Sequence, residues 1–514
     1  MRSRRCKMVA ALSLASAILA APVARAAGDA NLDAIETIVV LYAENRSFDN
    51  LYGLFPGANG LQNAAADAAR QIDRDGAVLR ELPPIWEGLT APGVKPPIGE
   101  AQTAHLPNAP FAIDDPKRFN LSLAVATHDL VHRFYQNQMQ INGGKNDRFV
   151  AYGDSGALVM GHYDGSMLAL WNVAKTYVLA DNFFMGTFGG SFMNHIYLAC
   201  ACVAEYPKAD ESPAKSEISA VEADGVSLKV TAESPKSALQ GVPRFVNDKG
   251  LTPDFYAVNT MQPPYQPSGV KPAPDGDKRY ADPHKASVLI PQTQTTIGDL
   301  LSAKGVTWAY YAGAWQAALE GRNSTPTPNF TYHHQPFNYF VNYAPGTAAR
   351  AEHLRDGGLF GAEFIKAIDS GALPQITFYK PQGNLNEHPG YADVLAGDEH
   401  LAELVRHLEK SPQWPHMLVI ITYDENGGFW DHVAPPKADR WGPAIRIPTL
   451  IISPFAKRGA VDHTLYDTGS ILRLITGRFD LPMLDGLKLR DEAMAKAGSG
   501  RLGDLTGALD LPAR

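Results

Sequence analysis

The sequence predicts an α/β protein with a large, twisted, mostly parallel sheet flanked by helices. Segments with helical periodicity alternate with short apolar runs along most of the chain. The runs at 37–43, 417–422 and 447–453 are continuously apolar, which is typical of strands buried on both faces. Residues 205–283 are polar and Pro-rich, so we expect them to form an insertion or small lobe on a single domain spanning 27–514.

The individual elements follow from periodicity and from their flanking turn residues. Apolar spacing predicts helices at 120–135, 167–175, 192–202, 296–304, 360–370 and 400–410, and another that begins at 470. Strands are predicted at 37–43, 177–180, 306–311, 375–379, 417–422 and 447–453, with a further short one at 226–230. The helix at 120–135 would place His128 and His132 four residues apart on one face.

The first 26 residues read as an export signal and not as part of the fold. A basic start is followed by the apolar run 8–21 and by Ala24-Arg25-Ala26, a small-x-small cleavage site. A Sec signal fits best, and the Arg4-Arg5 pair leaves a twin-arginine route open. The product should be periplasmic or secreted, since no other stretch is long and apolar enough to span a bilayer.

The charge of the chain indicates which partners it can bind, and its cysteines indicate one possible disulfide. The formal charge is −8, and loss of the five basic residues in 1–26 makes the mature chain more acidic. Such a chain is a poor non-specific nucleic-acid binder, so no nucleic-acid partner is expected. Cys200 and Cys202 remain after export, either as a disulfide or as two small buried side chains.

Two of the predicted strands end in acidic pairs. Glu44 and Asn45 follow the strand at 37–43, and Asp424 and Glu425 follow the strand at 417–422. Ligand sites in open α/β sheets lie at the carboxyl ends of strands, so the pairs would meet if these strands are neighbours. Oxygen ligands without cysteine suit one divalent ion, with Ca²⁺, Mg²⁺ or Mn²⁺ favoured. Either pair alone could instead cap a following helix or turn.

A second candidate lies at Ser191, between Gly189-Gly190 and a predicted helix. A serine in the first turn of a helix has backbone N–H groups and the positive end of the helix dipole beside it, which suits phosphate or sulfate. A metal on the Ser oxygen would activate it as a nucleophile. The alternative is that Ser191 is an ordinary helix cap.

Several histidines lie mostly in loops, where they are more suggestive of a site than on a helix face. Each could equally be an ordinary surface or hydrogen-bonded histidine. They are His132, His333, His334, His388, His432 and His463.

The sequence does not support two other classes of enzyme, trypsin-like proteases and NTPases. Gly153-Asp-Ser-Gly156 matches the sequence around a trypsin-like nucleophile, but that class needs an all-β double barrel. The Gly-rich phosphate loop of NTPases is missing from the sequence.

Four motifs together resemble the bacterial phosphoesterase family that contains the phosphatidylcholine-cleaving phospholipases C, and most closely its respiratory-burst-inhibiting acid phosphatase branch. They are Tyr42–Asn50, Asn142–Asp147, Met160–Asp164 and Tyr423–His432, within matching blocks that run from about Ile38 to Ile475. The resemblance implies a fold of the alkaline phosphatase and sulfatase type.

The resemblance also implies roles for individual residues. It assigns the metal to Glu44, Asn45, Asp424 and Glu425, with Ser191 as nucleophile and last ligand. It lines the phosphate pocket with Asn194, His132, His333, His334 and His388. The phospholipase branch usually reads Gly-Pro-Thr-x-Pro-Asn-Arg at the nucleophile, whereas 189–195 reads Gly-Gly-Ser-Phe-Met-Asn-His, which favours the phosphatase branch.

The sequence therefore predicts a metal-dependent acid phosphatase that hydrolyses small-molecule or lipid phosphate esters through a phosphoseryl intermediate. The first alternative is a phospholipase C acting on phosphatidylcholine-type diesters. A third reading is an exported binding protein that keeps the fold without chemistry; the presence of Ser191 and of both acidic pairs disfavours it. Oligomeric state is not indicated.

Overall fold

The computed structural model describes residues 31–322 and 330–513. The export signal predicted for 1–26 lies outside the described residues. Among the described helices, none has the length and apolar character needed to cross a bilayer.

Fourteen strands are present in the described chain. They are β1 Thr37–Ala43, β2 Phe111–Ala112, β3 Gly161–His162, β4 Val178–Ala180, β5 Phe183–Phe184, β6 Ala204–Glu205, β7 Tyr256–Ala257, β8 Trp308–Gly313, β9 Leu354–Gly358, β10 Ile376–Lys380, β11 Met417–Tyr423, β12 Thr449–Ile452, β13 Ala460–Asp462 and β14 Tyr466–Asp467.

Twelve α-helices accompany them, with short 3₁₀ turns between. They are α1 Phe48–Tyr52, α2 Phe134–Ile141, α3 Phe149–Tyr152, α4 Ala169–Thr176, α5 Ser191–Cys200, α6 Ile297–Lys304, α7 Trp315–Leu319, α8 Ala348–His353, α9 Ala362–Asp369, α10 Val394–Lys410, α11 Thr468–Arg478 and α12 Asp485–Ala497.

The main sheet has eight strands in the order β13-β4-β12-β11-β1-β10-β8-β9. Only β12 runs against its neighbours β11 and β4, so the predicted mostly parallel sheet is confirmed. Strands β1 and β11 are buried at every residue, as their continuous apolar sequences predict. Helices flank the sheet in two packed groups, one of α4, α9 and α10 and one of α5, α6 and α11.

The predicted helix at 120–135 is wrong. Helix α2 begins only at Phe134, and the residues before it form an irregular segment. Tertiary hydrogen bonds replace helical ones there: the His128 amide donates to the Leu89 carbonyl, and the Val131 amide donates to the Asp154 carboxylate. His132 therefore lies in a loop before the helix, which frees its side chain to reach the end of the sheet.

The polar segment 205–283 contains only β7, part of β6 and short 3₁₀ turns. The short strand predicted at 226–230 is reduced to single bridges from Leu228 and Val230 to neighbouring residues. Cys200 and Cys202 form a disulfide at the carboxyl end of α5, which decides between the two alternatives for this pair.

Candidate active site

The two acid-tipped strands are direct neighbours, as the candidate site requires. Strands β1 and β11 pair in parallel with Ala43 opposite Tyr423, so Glu44 and Asp424 leave the sheet side by side. The Asp424 amide donates to the Ala43 carbonyl (3.1 Å), and the Asn45 amide donates to Asp424 Oδ1 (3.0 Å). The side chains of both acidic pairs, Glu44 with Asn45 and Asp424 with Glu425, are buried.

Close packing at this edge depends on two unusual backbone positions. Asn45 has φ 61°, a left-handed conformation that asparagine tolerates better than most residues. Gly427 has φ 60°, and a Cβ there would lie 2.2 Å from the Asn45 carbonyl oxygen. The turn after Glu425 can therefore lie against Asn45 only with glycine at 427.

Ser191 is the first residue of α5 and lies at the same edge. Its Oγ donates to Asn45 Oδ1 at 3.2 Å, across 146 positions of sequence. Gly190 precedes it without a side chain, and a Cβ there would meet the His132 carbonyl oxygen at 2.8 Å. The glycine lets the loop that carries His132 pass close to Ser191.

The carboxylates at this edge have the chemistry of a cation site. Asp424 Oδ2 and Glu425 Oε1 are buried and have no hydrogen-bond partner. Burial and the neighbouring Asp424 raise the pKa of Glu425 well above its usual range. Basic side chains lie 3.6 to 3.8 Å from these oxygens, His132 beside Glu425 and His195 and Lys380 beside Asp424, but none is within hydrogen-bond distance. Buried carboxylate oxygens without a hydrogen bond are costly, and a bound divalent cation would relieve that cost. With Asn45 Oδ1 and Ser191 Oγ beside them, the oxygen donors fit the predicted ion.

Glu44 has partners that the sequence did not indicate. Its Oε1 accepts from His334 Nε2 (2.9 Å), and its Oε2 accepts from Asn386 and lies 3.4 Å from Lys380 Nζ. Although burial opposes ionisation, His334 and Lys380 hold the pKa of Glu44 well below its usual range. One ligand atom each from Glu44, His333 and His334 also lie within 4.8 Å of one another. Glu44 is thus the member of the acidic pairs that contacts the histidines directly.

The predicted histidines surround this edge but differ in environment. His132 Nε2 lies 3.6 Å from Glu425 Oε1, and its ring is 5.5 Å from that of His388. Both nitrogens of His333 lack a hydrogen-bond partner. Burial lowers the pKa of His333 and of His334, so these two imidazoles are predominantly neutral near pH 7.

Asn194 lies near the site but differs from its predicted role. Its Nδ2 donates to the carbonyls of Thr187, Gly189 and Gly190 at 3.3 Å each, and its Oδ1 accepts from the Thr187 amide at 3.0 Å. These bonds occupy both ends of the amide, and Asn194 is not among the cavity-lining residues. Asn194 holds the loop that presents Ser191.

A cavity of about 420 Å³ opens beside Ser191. Its walls come from the sheet edge, the histidine loops and the 205–283 segment. They include Glu44, His132, Ser191, His333 and His388, together with Asp129, Arg133, Gly190, Phe192, Val258, Asn259, Thr260, Thr331 and Tyr391. The volume exceeds what a phosphate alone requires, so the group esterified to it can enter the cavity as well.

Two further histidines contact a separate network of charged residues, with His432 largely buried in it and His463 exposed at its margin. His432 Nδ1 bonds to Asp49 Oδ2 at 2.6 Å, and Arg446 lies 3.2 Å from Asp49 and 2.8 Å from Asp431. His463 bonds to Asp181. Arg446 and, when protonated, His432 supply two positive charges to Asp49 and Asp431, so these acids have counter-charges without a metal.

Several residues of the cavity and the sheet edge were not predicted from the sequence, four of them with charged or aromatic side chains beside the proposed ligands or histidines. Lys380 ends β10 next to β1, and the strand order was the signal that could have found it. Asp129 and Arg133 flank His132 in sequence and share its loop. Tyr391 stacks on His388 with ring centroids 4.5 Å apart.

Comparisons with known proteins identify the family of the chain. The model of the Phosphoesterase family matches residues 35–482. Phospholipase C A of Mycobacterium tuberculosis is 23% identical over 94% of this chain and 78% of that protein. Non-hemolytic phospholipase C of Burkholderia pseudomallei is 26% identical over 42% of this chain and 36% of that protein.

Among solved structures, a protein of the alkaline phosphatase superfamily from Vibrio parahaemolyticus aligns with a TM-score of 0.28. It is 12% identical and covers 63% of this chain and 62% of its own. The family match spans most of the chain and confirms the resemblance carried by the four motifs. The chain therefore belongs to the Phosphoesterase family and is a hydrolase that acts on phosphoric ester bonds.

Proposed function

We propose that this protein is a metal-dependent phosphoester hydrolase that uses Ser191 as its nucleophile and acts on phosphodiesters of the phospholipase C kind. The observation that carries the proposal is the position of Ser191 Oγ, 3.2 Å from Asn45 Oδ1. The same edge of the sheet holds buried oxygens of Asp424 and Glu425 that accept no hydrogen bond. The phospholipase C names of the relatives support the diester reading better than the acid phosphatase reading.

Helix α5 supports the nucleophilic role of Ser191. The helix has ten residues, and its first-turn N–H groups and positive dipole end lie beside the Ser191 hydroxyl. These groups would stabilise negative charge on the phosphoryl oxygens as Ser191 Oγ attacks phosphorus. Asn194 keeps the preceding loop fixed, so the hydroxyl is positioned before substrate arrives.

Glu44, Asn45, Asp424, Glu425 and Ser191 would hold the metal through oxygen atoms. When bound, the ion would lower the pKa of the serine hydroxyl and neutralise charge on the phosphoryl group. Ca²⁺, Mg²⁺ and Mn²⁺ all suit such ligands.

Two histidines are placed to handle the proton of the leaving alcohol. His132 Nδ1 donates to the Leu130 carbonyl, and His388 Nδ1 donates to the Pro389 carbonyl, because a carbonyl can only accept. Nε2 is then the nitrogen of each ring that can give up or take a proton, and both residues line the cavity. In His132 this nitrogen accepts a hydrogen bond from Asn45 Nδ2 at 3.4 Å. One of them would protonate the leaving oxygen, and a water would then hydrolyse the phosphoseryl intermediate.

A second candidate function is phosphomonoester hydrolysis. It is favoured by the nucleophile segment 189–195, which lacks both prolines, the threonine and the arginine of the phospholipase branch. The fold and the metal ligands are the same in both readings, and only the fit of the esterified group differs.

The test is a substrate panel on protein stripped of metal and reloaded with Ca²⁺, Mg²⁺ or Mn²⁺. It compares p-nitrophenyl phosphate, p-nitrophenylphosphorylcholine and phosphatidylcholine vesicles. Higher kcat/KM for the two choline esters supports the diester reading, and higher kcat/KM for the monoester supports the second candidate. Full activity in stripped protein would contradict metal dependence altogether.

The export signal predicted for 1–26 is part of this proposal, since an exported enzyme would meet lipid or soluble phosphate esters outside the cytoplasm. Its test is the N-terminal sequence of the protein isolated from its native host. A mature chain that starts at residue 27 supports export, and an intact Met1 contradicts it.

A further inference from the structure

Lys380 is a fully buried cation at the candidate metal edge. Its Nζ lies 3.4 Å from Glu44 Oε2 and 3.8 Å from Asp424 Oδ2, and it donates to the Ala43 carbonyl at 3.2 Å. The side chain is 0% exposed. A buried ammonium is retained only where anions compensate it, and here the anions are two of the proposed metal ligands.

The strand order fixes this position. Strand β10 pairs with β1 on the side opposite β11, with Tyr379 opposite Leu41. Lys380 is therefore anchored on the central sheet beside the end of β1, and its position does not depend on a mobile loop.

The formal charges at the edge suggest what Lys380 does. Glu44, Asp424 and Glu425 supply three negative charges, and Lys380 supplies one positive charge. One divalent ion brings that total to zero. A second divalent ion would leave an excess of two positive charges within a buried region.

A second ion would otherwise have ligands available. Glu44, His333 and His334 offer atoms within 4.8 Å of one another, and both His333 nitrogens are unpartnered. Carboxylate and imidazole ligands of this kind suit Mn²⁺ and other transition metals. Lys380 approaches the same carboxylate that such an ion would share.

We propose that Lys380 is a fixed positive charge that limits this edge to one divalent ion. Its ammonium group lies beside Glu44, the carboxylate that a second ion would need as a ligand, and repels that ion. The inference rests on the metal dependence proposed above. Lys380 is thus a positioning residue for Glu44 and Asp424, and it acts on metal stoichiometry without touching substrate.

The test measures bound Mn²⁺ in full-length protein stripped of metal and then saturated with Mn²⁺ alone. Ions per chain are counted by mass spectrometry of the metal after gel filtration, and the EPR spectrum distinguishes an isolated Mn²⁺ from a coupled pair. Lys380→Met removes the charge at similar length, and Lys380→Arg is the matched control that keeps it. Lys380→Gln, which keeps a hydrogen-bond donor for the Ala43 carbonyl, serves if the methionine variant does not fold.

We expect one isolated Mn²⁺ in the wild type and in Lys380→Arg, and two ions with a coupled EPR signal in the neutral variant. Two ions in the wild type would overturn the inference. A folded neutral variant that still binds a single ion would also overturn it. A wild type that binds no Mn²⁺ would instead contradict the proposed metal site itself, so the two failures are distinguishable.

Discussion

Ser191 Oγ donates a hydrogen bond to Asn45 Oδ1 at 3.2 Å, joining the first turn of α5 to the end of β1. This contact places a hydroxyl group beside buried carboxylate oxygens of Asp424 and Glu425 that accept no hydrogen bond from the protein. Neither the Ser191 hydroxyl nor these carboxylate oxygens have an obvious structural purpose on their own. Together they form the centre of the proposed active site.

Removing the Ser191 hydroxyl should abolish turnover without unfolding the protein. Loss of a catalytic nucleophile typically lowers kcat by on the order of 10³-fold or more. Ser191→Ala is compared with Ser191→Thr, which keeps a hydroxyl and should retain measurable activity. Both are checked by steady-state kinetics and circular dichroism, and near-wild-type kcat in Ser191→Ala would mean that another group attacks phosphorus.

Neutralising Asp424 should remove metal and activity together, because its unpartnered Oδ2 is one of the oxygens proposed to hold the ion. Asp424→Asn is expected to fall from one bound ion per chain to nearly none. The control is Asp398→Asn, a buried carboxylate that accepts from the Ala169 and Leu170 amides and is not one of the proposed ligands. Normal metal content in Asp424→Asn would contradict the ligand assignment.

Asn194 should keep the loop before α5 in place, since its side-chain amide forms hydrogen bonds with backbone groups of that loop. Asn194→Leu leaves those buried groups unpaired, which should cost about 2 to 4 kcal/mol of stability. It should also lower kcat by misplacing Ser191. Tyr197→Phe is the matched control on the same helix, because the Tyr197 hydroxyl has no hydrogen-bond partner. An Asn194→Leu variant with wild-type stability and kcat would contradict this role.

The pH dependence of stability should reveal the Asp49–His432 pair. Although burial opposes charging, the hydrogen bond and charge of Asp49 raise the pKa of His432 above its usual range. The folded state then binds the proton more tightly than the unfolded state, so the stabilisation is complete below about pH 6.5 and is lost as pH rises through the folded-state pKa.

The measurement is Tm against pH for the wild type and His432→Asn. The difference in Tm should be largest at pH 5.5–6 and should shrink as pH rises. A difference that stays constant or grows with pH would show that the pair does not carry a raised pKa.

The general acid can be identified from its dependence on the leaving group. If His132 or His388 protonates the leaving alcohol, substitution by Asn should reduce kcat much more for an alkyl phosphate ester than for a p-nitrophenyl ester, which needs no proton. Equal losses on both substrates in both variants would contradict a general-acid role for either residue.

The sheet and its acidic edge could be predicted from sequence because continuous apolar runs and adjacent acids are local signals. Strands β1 and β11 were found from their own residues, and their pairing then brought Glu44 and Asp424 together. A glycine pair before an apolar helix makes Ser191 a candidate in the same way, and the family resemblance assigns it as the nucleophile.

What could not be predicted depends on contacts between distant segments. Apolar spacing favoured a helix at 120–135, but hydrogen bonds to Leu89 and Asp154 hold that segment in an irregular form. The predicted strand at 375–379 stops one residue before Lys380, whose importance depends on β10 lying next to β1. Asn194 was assigned to the pocket by resemblance, whereas its hydrogen bonds turn its amide toward the loop.

The most direct test of the central claim is to trap the covalent intermediate. Metal-loaded protein is mixed with p-nitrophenylphosphorylcholine or p-nitrophenyl phosphate, quenched in acid within milliseconds, digested and examined by mass spectrometry. The account predicts a phosphorylated or phosphocholine-bearing Ser191, present in the wild type and missing from Ser191→Ala. Turnover with the covalent group on a different residue, or with Ser191 unmodified throughout the first turnover, would contradict it.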